Sequence, residues 1–453
     1  MKKMTLNRIL TAGAVMKMSY GFTLGLYLYI YPLTFEDLFG RDDTGRFLLG
    51  SVFVFDFIME ALLDPPLGAY ADIKGYKPTL QRAFVFRGLF FAGLIVTVLL
   101  IERPVAGYPI AFFTQALFAI SYTFWSGANS AWLYDSLAQI GMEESYLKHF
   151  SRIQTGYYVC YIGGAVLSAY LYFANKAVVA YGLGAACSLI GAFFIRGYVI
   201  EPTIKKPHQS YKRQIIDVIS DAWRYCLSSK DIYYLLQLGG FFALLLHAVN
   251  YLWPPYAKDL LHITRLDWRW ISVVLVMTLG SLIGNGLIGT RWKENQDNEA
   301  NEWRHYVLIC YCFAIPIISL SILALLSLNQ FLPFVSLIAL GRVAVGAKDA
   351  PYEALMNRLI TRVNRVQHAS RPPSEVRATI LSSASIFNAI LILFFFVPTT
   401  VLGASNTVKG WLLPALLLVA ATIAAHKRRT NGRHRKVDVS VLRSDSLAAD
   451  RDG

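Results

Sequence analysis

Charge is what this sequence has least of. Only 16% of its 453 residues are Asp, Glu, Lys or Arg, while 55% are hydrophobic, and the mean hydropathy is +0.44. That balance excludes a water-soluble globule, whose surface needs far more charge. Cysteine is also scarce: Cys160, Cys187, Cys226, Cys310 and Cys312 are odd in number and lack zinc-type spacing, so no disulfide framework is expected. No glycine-rich loop ends in Lys-Ser or Lys-Thr, which argues against ATP as direct fuel. Nor is there a His/Cys/Glu cluster with metal-ligand spacing or a Gly-x-Ser-x-Gly elbow, so neither a metal nor a cofactor is expected.

What the chain has instead is long apolar runs. A bilayer-spanning helix needs about 20 mostly apolar residues, and such runs lie near 11–33, 47–66, 79–101, 107–133, 154–174, 178–200, 232–255, 270–290, 305–327, 331–347, 378–398 and 408–426. The expected fold class is therefore an all-α integral membrane protein with 12 transmembrane helices. Met1-Lys2-Lys3 and Arg8 imitate a signal peptide, but Lys17 interrupts the apolar run and no small-residue cleavage site follows, so the first helix is expected to stay attached.

Basic residues set the orientation, because Lys and Arg near span ends are retained in the cytoplasm. Before the tail, 22 of them fall on the side holding both termini, among them Lys74, Lys77, Arg152, Lys205 and Arg377, against eight on the other side. Both termini are expected in the cytoplasm of a cell whose inner (plasma) membrane holds the protein. The asymmetry also accounts for the formal charge of +14. Nucleic-acid binding, the competing reading of a pI near 9.4, fits poorly because the charge is spread over many loops.

One long polar interruption divides the chain into an N-terminal six-helix bundle (1–200), a basic linker (201–231), a C-terminal six-helix bundle (232–426) and a basic tail (427–453) expected to be disordered. In the linker Ile215, Ile216, Ile219, Trp223 and Leu227 recur at helical spacing, predicting an amphipathic helix on the lipid surface. A loop is expected over 361–375, around Pro372-Pro373. The halves echo each other: Gly127-Ala128 and Ala131 match Gly346-Ala347 and Ala350, followed by Asp135 and Glu353. Such duplication suits two bundles that rock about a central site.

Between the second and third spans, Asp64 and Pro66 precede Gly68, Asp72, Gly75 and Lys77. This stretch resembles the signature loop of the major facilitator superfamily, G-x-x-x-D-x-x-G-x-[RK]. Ser126 to Leu137 and the pair Asn357-Arg358 with Arg377 to Ser382 are similar to further landmarks of a branch of proton-linked exporters. The resemblance implies a cytoplasmic gate in which Asp72 docks near Ala378 at the start of span eleven, Asp135 pairs with Arg152, and Glu353 pairs with Arg377. The alternative for these residues is helix-end charges facing water, worth under about 1 kcal/mol per exposed pair. The second copy of the signature has Thr290 where the aspartate would stand, span four lacks an arginine, and Gly163-Gly164 in span five has no proline, all departures from the exporter pattern.

Asp56, Glu60 and Asp64 recur every four residues and so share one helix face. Carboxylates at membrane depth turn to the protein interior and tend to do work, which makes Asp56 or Glu60 the coupling-proton candidate; the alternative is a structural pair with Lys17 or Arg87. Further candidates for a substrate cavity, weighted by the spans that line the path in the resembled family, are Tyr27, Tyr31, Gln115, Trp125, His247, Asn250 and Asn388. The expected partners are the lipid bilayer, a small-molecule substrate and the coupling proton, with the chain acting as a monomer. Efflux of small amphipathic or lipophilic compounds is the reading the landmarks favour. Uptake of a nutrient or siderophore-like solute is the alternative within transport, and an integral-membrane enzyme is the alternative outside it.

Overall fold

The computed structural model describes residues 2–40, 43–201, 216–217, 219–220, 229–261, 268–291, 299–326, 331–367, 379–381, 391 and 411–427. They form α1 (Lys2–Leu28), α2 (Tyr31–Phe39), α3 (Asp43–Lys74), α4 (Tyr76–Leu99), α5 (Pro104–Gln139), α6 (Tyr146–Phe173), α7 (Ala177–Tyr198), α8 (Lys230–Leu261), α9 (Trp268–Arg291), α10 (Glu299–Leu325), α11 (Phe331–Gln367) and α12 (Leu412–Lys427). Eight described segments are long and apolar enough to cross a bilayer, the first joining α1 and α2. Helices α3 and α6 are comparably long, at 32 and 28 residues, but carry more polar side chains.

Two differences from the sequence reading concern boundaries. The first apolar run breaks at Tyr29-Ile30, because Pro32 supplies no amide to continue the helical ladder and instead sits in the first turn of α2. The tenth run, expected to end at residue 347, continues as one helix to Gln367, so 361–367 is helix rather than loop. Lys348 and Asp349 do not end it because they turn into the interior, where they meet each other and their neighbours. The eleventh run, 378–398, lies outside the described residues except for 379–381 and 391. So does the linker except for residue 201, the helical residues 216–217 and 219–220, and residues 229–231, and so does the tail beyond Lys427.

Burial is inverted relative to a soluble protein. Asp56, Arg87 and Gln115 have no exposed surface, whereas Leu99, Phe193 and Leu332 are about 70% exposed. Apolar side chains gain nothing by facing water, so this outer surface fits a hydrocarbon surround, with polar groups gathered between the helices.

In the first half α1 packs on α6, α4 on α5 and α7, and α3 on α5; in the second, α11 packs on α9 and α10. Small residues permit the tightest crossings. A Cβ on Gly25 would strike the Tyr161 carbonyl, and one on Gly164 would strike the Phe22 carbonyl, so α1 and α6 touch backbone to backbone. Gly284 and Gly346 do the same for α9 and α11. The halves meet mainly where α6 lies along α9. There the buried Asn285 amide donates to the Ser151 carbonyl at 2.9 Å and to Thr155 Oγ1 at 2.8 Å, and at the other end Phe173 packs edge-on against Trp270.

Adjacent glycines on α6 provide an internal control. Gly164→Ala is expected to lower stability by about 1–3 kcal/mol through overpacking. Gly163→Ala, with nothing within 4 Å of the new methyl, is expected to be neutral or to stabilise by up to about 1 kcal/mol. Thermal unfolding of the two purified variants in one detergent measures the difference.

Candidate functional site

Two regions gather the polar residues. The first is the turn between α3 and α4. Gly75 adopts φ +102°, a conformation that L side chains rarely take, and this lets the chain reverse at once from α3 into α4. The amides opening α4 have no helical acceptors, and Pro78 at its third position has no N–H to satisfy. Glu201, just beyond α7, serves two of them: its carboxylate accepts from Tyr76 N at 2.6 Å and Lys77 N at 2.7 Å. Burial raises the Glu201 carboxyl above its ordinary pKa, while the Lys77 and Tyr76 amides and the Lys77 charge pull it back. Trp132 on α5 fixes this corner by donating to the Ile200 carbonyl at 2.8 Å.

With the turn set, Asp72 is buried and its Oδ2 accepts from the backbone N of Thr379 at 2.9 Å and from Thr379 Oγ1 at 2.6 Å. The observed partner is thus the residue after Ala378. Gly68 is buried one turn earlier on α3. Asp64 Oδ1 accepts from Ser126 on α5 at 3.2 Å. Asp135 accepts from the Tyr76 hydroxyl at 2.7 Å, and no Asp135–Arg152 ion pair is formed among the described residues. The reason is burial: Asp135 is half-covered beside the buried Tyr76 ring, whereas Arg152 sits on an exposed face of α6 where water solvates it. Arg377 lies outside the described residues. Glu353, its expected partner, lines the second region instead.

That region is a cavity of about 350 Å³ between the halves. Glu60 on α3 reaches it, as do Lys17, Tyr20 and Tyr27 on α1, Trp125 on α5, Tyr157 and Tyr158 on α6, His247 and Asn250 on α8, and Arg342, Lys348, Asp349 and Glu353 on α11. Four of the seven cavity candidates therefore line it. Tyr31 and Gln115 do not: Tyr31 is buried against Phe35 and Phe53, with ring centroids 5.7 Å away in each case, and Gln115 is buried beside Asp56. Both face the packed interior of the first half, the Tyr31 ring lying behind that of Tyr27, edge-on at 5.4 Å. Asn388 lies outside the described residues.

The three carboxylates on α3 part company here. Glu60 faces the cavity, whereas Asp56 is sealed behind it with neither oxygen hydrogen-bonded among the described residues. Arg87 is fully buried, but its guanidinium lies 3.8 Å above the Tyr20 ring as a cation–π stack and forms no ion pair with Asp56 or Glu60 among the described residues. Lys17 is likewise not paired with either.

Residues 13–371 match the model of the Major Facilitator Superfamily. The chain belongs to that superfamily. It is a multi-pass membrane transporter and not an enzyme. Three solved structures share its fold. The human organic anion transporter MFSD10 (TETRAN) is 12% identical at a TM-score of 0.62, covering 92% of this chain and 99% of its own. A bacterial homologue of the iron transporter ferroportin, in an outward-facing state, is 14% identical at 0.59, covering 93% and 98%. The proton:xylose symporter XylE of E. coli is 11% identical at 0.68, covering 94% and 96%. No curated protein sequence matches the chain.

Four charged residues of this transporter's sites escaped the sequence reading. Arg342 stood inside an apolar run and carried the signal that an intramembrane charge always gives. Lys348 and Asp349 looked like a span end. Glu201 looked like the first residue of a linker, and only its 124-residue separation from Lys77 in sequence hides the cap.

Glu201→Ala is expected to lower thermal stability by about 0.5–2 kcal/mol, the usual range for a lost N-cap, and Glu201→Gln by less because one acceptor oxygen remains. Gly75→Ala is expected to be at least as damaging, since its methyl would stand 2.7 Å from the Glu201 carboxylate at a positive φ. Thermal unfolding of the three variants in detergent gives the order.

Proposed function

We propose that this superfamily member is a secondary active transporter that works by alternating access and exports small amphipathic compounds in exchange for protons. Two six-helix bundles, 1–200 and 232–426, rock about the cavity, with 201–231 joining them and 427–453 trailing at the cytoplasmic face of the inner (plasma) membrane. This architecture brings the total to twelve spans with both termini inside, and one chain suffices for the cycle.

The observation that carries the coupling is Glu60. Its carboxyl faces the cavity, and no cation stands within ion-pair distance of it among the described residues. A carboxyl so placed can take a proton when the cavity opens to one side and release it when the cavity opens to the other. Asp56, one turn deeper, adds a second acid that only a rearrangement of the bundle can reach.

At the cytoplasmic end, the Asp72–Thr379 contact closes the cavity when it faces outward, and Gly68, Gly75 and Lys77 shape the turn that presents Asp72. Asp64 and Asp135, bonded to Ser126 and Tyr76, brace this end, Arg377 joins them, and Glu353 faces the cavity. The export direction is supported by the likeness of the Asp64–Lys77 and Ser126–Leu137 stretches to exporters. The cavity wall argues for amphipathic rather than purely lipophilic cargo, since three basic and three acidic side chains share it with aromatic rings.

In proteoliposomes, a compound found by counterflow should accumulate against an imposed pH gradient. Glu60→Gln is expected to keep the counterflow exchange and lose gradient-driven accumulation by at least tenfold, with Asp56→Asn intermediate. Coupling left intact in both variants contradicts the proton role.

A further inference from the structure

The charged side chains of the cavity fall into two groups. Asp349 is fully engaged: Lys348 Nζ stands 3.5 Å away, and Gln154 Nε2 and the Tyr158 hydroxyl each donate to its Oδ2 at 3.3 Å. Lys17 and Arg342 have no such acid. The Lys17 ammonium is surrounded by rings, 5.0 Å from the Phe150 centroid and 5.9 Å from those of Trp125 and Tyr157, with no carboxylate within 4.0 Å among the described residues. Arg342 is 6% exposed; its guanidinium donates to the Asn250 side-chain oxygen, and its Nε has no acceptor among the described residues.

Two cations, one from each half of the chain, therefore line one cavity with no carboxylate in ion-pair contact among the described residues, Asp349 and Glu353 acting on Lys17 only from further away. A buried cation lacking a hydrogen-bonded anion is costly, and a carboxylate is the group that relieves a guanidinium most effectively, through paired charge-assisted hydrogen bonds. The half-buried Tyr157 ring offers a flat wall to an apolar or aromatic body, and Trp125, covered on one face by Tyr20 at 4.2 Å, adds its edge. Glu60 and Glu353 border the same space and limit the negative charge it tolerates. Resting on the transporter reading above, the geometry points to an amphipathic organic monoanion as the substrate class, its carboxylate held by Arg342 and Lys17 and its body against the rings of Tyr157 and Trp125.

A matched series of probes tests this. 4-Hydroxyphenylacetate, tyramine and tyrosol share one ring and differ in bearing an acid, an amine or an alcohol. Binding to the purified full chain in detergent, measured by calorimetry, is expected to be at least tenfold tighter for the acid than for the other two. That preference is expected to fall below threefold in Arg342→Gln and Lys17→Gln and to persist in Lys17→Arg, which keeps the charge and reports on it where a glutamine variant fails to fold. Equal or tighter binding of the amine or alcohol, a preference unchanged in both glutamine variants, or no binding of any probe overturns the proposal. Counterflow of tyramine or tyrosol would refute the anion while leaving transport intact, so the two readings fail separately.

Discussion

Asp72 and Thr379 are 307 residues apart, yet one carboxylate oxygen holds both the amide and the hydroxyl of the threonine. Hydrogen bonds to a charged group are worth about 1.5–3 kcal/mol each, so this junction is strong enough to favour one arrangement of the halves and weak enough to be exchanged for another. Much around it serves to aim that oxygen. Gly75 lets the chain reverse, Glu201 satisfies the amides that the reversal exposes, and Trp132 anchors the backbone just before Glu201.

A second constraint is the apolar surround. Every charge carried into the spans has to turn inward, either between the helices of one half or into the shared cavity. The first half does both: it seals Asp56 and Arg87 between its own helices, the latter by stacking on Tyr20, and turns Lys17 and Glu60 into the cavity. The second half sends Arg342, Lys348, Asp349 and Glu353 along one face of α11 into the shared cavity. The cavity's polarity is thus a consequence of where lipid-excluded charge can go, and its chemistry follows from which of those charges find partners. The α6–α9 seam, with Asn285 bonded to Ser151 and Thr155, runs along the cavity's flank.

The spans were legible because hydrophobic length is a local property, and the superfamily was legible because the Gly68-to-Lys77 turn needs fixed residues at fixed spacing. Charge also misled: Lys348-Asp349 resembles the end of a span, and only tertiary packing reveals that both turn inward along a continuing helix. The Asp135–Arg152 pair failed for the complementary reason, since pairing by sequence cannot see that Tyr76 reaches Asp135 from another helix while Arg152 faces outward. Tyr31 and Gln115 were on the right helices or beside them, but which side of a span faces the cavity depends on rotation set by neighbouring helices. Glu201 was beyond any local pattern.

The proposed cycle requires that Asp72 at the end of α3 and Thr379 part and rejoin at each turnover. Cysteines placed at Asp72 and Thr379 in a chain freed of its own five test it most directly. Oxidative cross-linking of that pair in membranes should arrest transport, and reduction should restore it to the level of the uncross-linked double variant. Transport that continues undiminished with the pair cross-linked would contradict the account.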